Sequence, residues 1–217
     1  MCCRYYMFLA GQAEAAVREL NASALTKYVS DQVKKTVKTN GEIYPKDLTA
    51  VYAVNKKGQP GLFSMVWGYT PAAGTSVVFN ARSETADVKP MFREGWKAHR
   101  CAVPASCYYE WQHRSDQGGA KGSGQKYRIM SADGSNLWLC GLYRMEGSIP
   151  HFVILTRDAG ESIRFLHDRM PVVLPTEKVR EWIDPSCDPH TLLVQARNDM
   201  QAMLDNPHTK SGLSLIE

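Results

Sequence analysis

The 217-residue sequence has no apolar run approaching the ~20 residues that a helix needs to cross a bilayer. Its first apolar stretch, Met7-Phe8-Leu9-Ala10, is too short for a secretory leader. Six cysteines are present (Cys2, Cys3, Cys101, Cys107, Cys140 and Cys187), but no Cys-x-x-Cys pair and no histidine at ligand spacing. That pattern argues against zinc, and neither a metal nor a cofactor is expected. Strong charge of one sign is missing as well. Twenty-six Lys and Arg against 22 Asp and Glu leave +4, which suits a short anionic ligand and excludes a histone-like polycation. There is no internal repeat. The single low-complexity stretch, Gly118 to Gly124, reads as a surface loop rather than a domain linker. With no leader and thiols expected to stay reduced, the expected setting is the cytoplasm, away from membranes.

What remains is ordinary for a globular chain: 44% hydrophobic and 22% charged residues, enough for a core within one domain spanning 1–217. Arg4 to Phe8 reads as a strand, Ala13 to Leu20 as a helix, and Leu25 to Val37 as a second helix, with Val29, Val33 and Val37 every fourth residue. After the Asn40-Gly41 turn the pattern becomes short strands: 42–44, 49–54, 62–67, 77–79, 101–103, 107–112, 126–131, 137–143, 152–156 and 170–174. Short helices are predicted at 90–99 and 161–165, and mostly helix over 176–183 and 191–204. Strands outnumber helices and hairpins dominate. The expected class is α+β, a single domain with a largely antiparallel, barrel-like sheet core and peripheral helices, and a monomer.

The second residue carries the first chemical signal. Cysteine is small enough for methionine aminopeptidase to remove Met1, leaving Cys2 with an α-amine and a thiol on adjacent carbons. The amine titrates near about 7.7–8.0 and the thiol near about 8.5, so both nucleophiles are accessible at neutral pH. Such a 1,2-aminothiol closes onto an aldehyde as a five-membered thiazolidine. Further along, Asn80, Arg82 and Glu84 alternate after an apolar run, so period-two spacing puts them on one face, as a polar site or as a solvated edge. Glu110 lies between Tyr109 and Trp111. If it points inward, desolvation raises its pKa and suits it to proton transfer; if outward, it is an ordinary surface residue. His167 has an acidic neighbour, Asp168, ahead of a Pro-fixed strand, a context that His99, His113, His151, His190 and His208 lack.

These stretches resemble the SOS-response-associated peptidase family, also described as abasic-site processing proteins. The resemblance rests on Cys2 with Arg4, Gly41-Glu42-Ile43-Tyr44-Pro45, Trp67-Gly68-Tyr69 with Pro71, and Asn80 to Thr85. It continues through Arg100-Cys101, Pro104, Tyr109-Glu110-Trp111, Gly141-Leu142 and His167-Asp168-Arg169-Met170-Pro171, in family order to about Leu174. The resemblance implies recognition of abasic sites in single-stranded DNA and a covalent thiazolidine crosslink through Cys2. It implies Glu110 as the acid for sugar ring opening and release, His167 as a proton shuttle at the imine, and Asn80 as a hydrogen-bonding group for the N-terminal residue or the sugar. Arg4 and Arg82 would grip phosphates, and Trp67 would stack a base. Two positions depart from the family pattern, which has glycine where Cys3 and Cys107 stand. Their side chains would narrow the pocket, come close enough to form a regulatory disulfide, or, on the plainest reading, reflect neutral drift.

Two other functions use the same residues. One is an N-terminal-cysteine hydrolase or self-processing peptidase, which needs an oxyanion hole that no Gly-rich stretch beside Cys2 supplies. The other is a non-covalent reader of damaged or modified DNA using Arg4, Arg82 and Trp67. Met1 discriminates further. While it is attached, the Cys2 nitrogen is an amide whose lone pair is delocalised, and no imine can form. Such a form is expected to bind without crosslinking, with Met1 near the entrance that the sugar would use.

Overall fold

The computed structural model describes residues 2–9, 13–72, 76–112 and 124–205; Met1 and most of the Gly118–Gly124 stretch lie outside them. Alternation opens the fold. In β1 (Tyr5–Phe8), Tyr5 and Met7 are fully buried while Tyr6 is half-exposed. Two helices follow, α1 (Glu14–Ala22) and α2 (Ala24–Val33), divided at Ser23, where the backbone turns extended. The second helix stops four residues before its predicted end because Lys34 adopts the left-handed conformation, φ 55°. Val29 still packs as the spacing predicts, against Leu48 and Val66.

From there the chain is mainly strands: β2 (Asn40–Ile43), β3 (Leu48–Val54), β4 (Pro60–Trp67) and β5 (Asn80–Arg82). A short helix, α3 (Arg93–Ala98), leads to β6 (Arg100–Ala105), β7 (Cys107–Trp111), β8 (Lys126–Ser131), β9 (Leu137–Glu146) and β10 (Ile149–Asp158). The chain continues through β11 (Arg169–Pro171), β12 (Val173–Leu174), α4 (Val179–Ile183), α5 (Pro189–Leu193) and β13 (Met200–Leu204). Among the described residues no helix is long and apolar enough to cross a membrane.

Strand pairing closes on itself. β10 pairs β4, β4 pairs β3, β3 pairs β6, β6 pairs β9, and β9 returns to β10, a five-stranded barrel with β4–β10 its one parallel contact. Closure removes the open edges that would otherwise invite association. Gly141 makes it possible: a Cβ there would come within 2.9 Å of both the Cys101 sulfur and the Val153 carbonyl. A second sheet, ordered β13-β8-β7-β1-β2, lies against the barrel. Cys101, Val103, Leu137, Leu139, Phe152 and Ile154 of the barrel share one core with Tyr5, Met7, Tyr108 and Ile129 of that sheet. On their other face the barrel strands bury Ala102, Cys140, Leu142 and Val153 against Phe92, Trp96, Trp182 and Leu192 of the helical side. The architecture is thus α+β with a largely antiparallel barrel, as the strand count implies.

Several boundaries differ from the expectations. Of residues 77–79 only Val78 makes a bridge, to Tyr69, and the strand begins at Asn80, where β10 has run past its pairing with β4 and takes β5 in parallel. Residues 161–165 form a single 3-10 turn, Glu161–Ile163. The segment 170–174 is two strands, one on β10 and one on β9. Residues 200–204, expected as helix, pair with the outer edge of β8. Met200 is buried and Gln201 exposed, so tertiary pairing selects the two-residue period over the helical one.

Candidate active site

β1 brings the N-terminus to the middle of the smaller sheet. Tyr5 lies opposite Tyr108 and Tyr6 opposite Cys107, and the Tyr109 amide donates to the Arg4 carbonyl at 2.9 Å. The same register carried outward sets Cys3 opposite Glu110. Cys2 is fully buried, its thiol directed to the Arg4 carbonyl at 3.7 Å. Burial pushes this thiol well above its usual pKa, and the nearby Glu110 carboxylate adds to the rise. Cys2 is therefore a neutral thiol at pH 7 and needs a proton acceptor to attack.

Asn80 comes from the barrel. Parallel pairing of β5 on β10 sets it beside Ile154, and its side-chain amide donates to the Cys2 carbonyl at 2.8 Å. That bond joins the two sheets at the N-terminus. The Asn80 side-chain oxygen is buried with no partner among the described residues, an acceptor left for another group. Glu84 does not continue the face. The chain leaves the strand after Arg82 into a 3-10 turn, Ser83–Thr85, and the Glu84 carboxylate is held by both Nη atoms of Arg169 at 2.7 and 2.8 Å. Arg82 itself is exposed.

Glu110 points inward, 5% exposed, and burial pushes its carboxyl up to about 7; the Asp168 charge acts in the same direction. A carboxyl in that range holds its proton for roughly half the molecules at neutral pH, which fits it to give and take one. Its titration also feeds stability. Glu110 binds a proton more tightly folded than unfolded, so its contribution is full below about 4.5 and is lost as the pH rises through about 7. The non-ionising Glu110→Gln should therefore gain on the wild type by roughly 3 kcal/mol between about pH 4 and pH 8. Denaturant unfolding of both proteins across that range tests this. A constant difference would mean that the carboxyl titrates as an exposed one does.

His167 follows the turn after β10. Its Nδ1 accepts from the Arg169 amide at 2.9 Å when unprotonated and donates to the Asp168 carboxylate at 2.6 Å when protonated, so the ring has a partner at Nδ1 in either state. Arg169, 8% exposed, fixes this segment by binding Glu84, Asp158 and the Thr156 carbonyl. No role was expected of it, although it stands inside the His167–Pro171 motif. Arg4 is braced rather than free. Its guanidinium lies 4.4 Å from the Tyr44 ring centroid and 4.9 Å from that of Trp111, and bonds Glu42 at 3.2 Å. Glu42 in turn binds Lys126 and Tyr44. These partners also escaped the sequence reading. The Gly41–Pro45 motif points to them, but Arg4 reaches Glu42 across 38 residues of chain and Lys126 reaches it across 84.

Trp67 requires a correction. It is fully buried, its ring nitrogen donating to the Phe79 carbonyl at 2.9 Å and its ring packed among Tyr5, Phe79 and Phe152. It cannot stack on a base. Nor do Cys3 and Cys107 form a disulfide; both are free thiols. Cys107 lies opposite Tyr6, three residues along the strand from Cys3, or about 10 Å, beyond the reach of a disulfide. Among the described residues no group of three His, Cys, Asp or Glu side chains could hold a metal.

With this geometry in hand, comparison with known proteins is informative. A family model described as SOS response associated peptidase (SRAP) matches residues 1–208. The chain belongs to the SRAP family. Among curated relatives, the abasic site processing protein YobE of Bacillus subtilis is 30% identical over 164 residues, covering 69% of this chain and 73% of that protein. YoqW of the same organism is 31% identical over 150 residues, covering 64% and 65%. YedK of Escherichia coli is 32% identical over 126 residues, covering 54% of this chain and 52% of its own length. Among solved structures, a protein from Bacteroides thetaiotaomicron shares the fold with a TM-score of 0.69 at 20% identity, covering 95% of this chain and 93% of that one. A phage-related protein of Bordetella bronchiseptica aligns with a TM-score of 0.68 at 25% identity, covering 94% and 93%.

Proposed function

We propose that this protein processes abasic sites in single-stranded DNA as part of a DNA-damage response, by forming a covalent thiazolidine crosslink through Cys2. The relatives named above are abasic site processing proteins, and the family carries the SOS response in its description. The observation that carries the reading is the meeting of a buried thiol at position 2, an amide that holds its carbonyl, and a carboxyl raised to about 7.

Protonated Glu110 gives its proton to the ring oxygen of the abasic sugar as the carbon–oxygen bond breaks, the hydroxyl on the same carbon loses its proton to water, and an aldehyde forms. After methionine aminopeptidase has removed Met1, the Cys2 amine adds to that carbon and water leaves, giving an imine. The thiol then adds across the C=N bond: sulfur bonds to carbon, and the thiol proton ends on nitrogen. Because burial keeps the thiol protonated, that proton moves through a nearby base, for which Glu110 and His167 are the candidates. Asn80 holds the Cys2 carbonyl throughout. No cofactor takes part in these steps.

A denaturing gel tests the proposal. Protein freed of Met1, incubated with abasic single-stranded DNA, should give a band that survives denaturation. Protein retaining Met1 should leave the DNA free, and treatment with methionine aminopeptidase should lower the mass by one methionine and switch crosslinking on. Equal crosslinking before and after would remove Cys2 from the chemistry. Cleavage of peptides with no adduct would instead favour a hydrolase, and binding without a denaturation-resistant band a non-covalent reader.

Arg82 supplies a further expectation. It is exposed at the end of β5, two residues from Asn80. If it grips one phosphate, Arg82→Ala should reduce the slope of log affinity against log salt by about 0.7 and weaken all sequences equally. Binding isotherms at several salt concentrations provide the check; an unchanged slope would assign Arg82 a structural role.

A further inference from the structure

With Trp67 buried, a ring that meets a base beside the lesion has to come from elsewhere. Of the exposed aromatics, Tyr44 carries Arg4 and Lys38 over its ring, and Tyr28 stands on α2, which packs through Val29 on β3 and β4. Phe165 is different. It is 54% exposed, yet the residues around it are fixed: Ile163 and Leu166 are buried at 3% and 2%, and the Leu166 amide bonds the Ile163 carbonyl at 3.0 Å. Its ring meets Tyr127 nearly at right angles, with centroids 5.7 Å apart and planes at 87°. Tyr127 packs on the core and lies directly across the β7–β8 ladder from Glu110, and such cross-strand partners share a face of the sheet. His167 is two residues further on. Phe165 is therefore an anchored, outward-facing ring one side chain from the carboxyl and two residues from the imidazole.

We propose that Phe165, held by Tyr127, is the stacking platform for the unpaired nucleobase next to the abasic sugar. The inference rests on the function proposed above. A strand that delivers its abasic sugar to Glu110 and His167 must carry the neighbouring nucleotide past this rim. An unpaired base exposes a π face, and a phenyl ring offers a matching face with no hydrogen bonds to select sequence. Preference is then set by stacking strength, purine over pyrimidine.

The test uses single strands bearing a tetrahydrofuran residue, an abasic analogue with no aldehyde, so that binding is read without crosslinking. Phe165→Ala should weaken binding by about 5- to 150-fold when adenine flanks the lesion. Replacing that adenine with a second tetrahydrofuran, on one flank, should weaken wild-type binding by a similar factor. The two losses should not add, because either change removes the same stack. Phe165→Trp should keep its affinity. Phe165→Leu, which preserves apolar packing without a ring, should behave like the alanine variant. Additive losses at both flanks, or full affinity in Phe165→Leu, would overturn the proposal. If the wild type crosslinks aldehyde-bearing strands while the losses add, only the stacking inference fails. If it does not crosslink, the function fails and the inference with it.

Discussion

Cys2→Ala is expected to abolish the heat-stable adduct with abasic single-stranded DNA while leaving an imine that borohydride can trap. Alanine is as acceptable to methionine aminopeptidase as cysteine, so the α-amine still emerges. The amine alone forms a Schiff base, and in water that bond reverses. Only sulfur on the adjacent carbon closes the five-membered ring that resists heat. The substitution leaves the Cys2 carbonyl in place, so the 2.8 Å bond from Asn80 survives and the N-terminus keeps its position. A buried thiol contributes to packing, and thermal unfolding should therefore be followed in parallel. Denaturing gels run with and without borohydride separate the outcomes: a heat-stable band from Cys2→Ala would sink the thiazolidine assignment, and no band even with borohydride would mean that the amine is not the first nucleophile.

Glu110→Gln should slow crosslinking by about 10²- to 10⁴-fold, the usual contribution of a positioned acid or base. The amide keeps the shape of the side chain and removes its proton. Reversal of a preformed adduct should slow as well, since the same acid serves both directions. Wild-type crosslinking should show this group directly. The step that needs protonated Glu110 falls away as the pH rises above about 7, where the carboxyl loses its proton, and the variant should lack that limb. Single-turnover rates against pH measure both effects. Unchanged rates in each direction would move the acid elsewhere, with His167 next, because Arg169 and Asp168 give its Nδ1 a partner in either protonation state.

The chemistry of this site was legible from residue types. A cysteine at position 2 becomes an aminothiol once Met1 is removed, and a glutamate between aromatics is disposed to be desolvated. The inward direction of Glu110 was not legible, because alternation along 107–111 is the same for either orientation of the strand. Tyr108 and Glu110 point to the core because β7 lies between β1 and β8, and only pairing fixes that. Asn80 and Arg82 were placed on one strand correctly, but Glu84 was not: the strand ends at Arg82, and the carboxylate serves Arg169 from 85 residues away. Trp67 misled because a tryptophan in a Gly- and Pro-bounded segment suits a ligand platform and a barrel core equally well. Barrel closure decided for the core.

By itself the sequence determined the candidate nucleophile at position 2, the absence of a metal-ligand pattern, the α+β class and the order of most strands, since these depend on residue chemistry and short-range periodicity. The tertiary structure alone decided which groups meet. Cys2 reaches Asn80 across 78 residues and Arg4 reaches Glu42 across 38, through strand pairings whose register no local pattern encodes. It also decided protonation. A carboxyl takes its pKa from the water it loses and the charges beside it, so Glu110 becomes an acid for neutral pH only when the two sheets close around it.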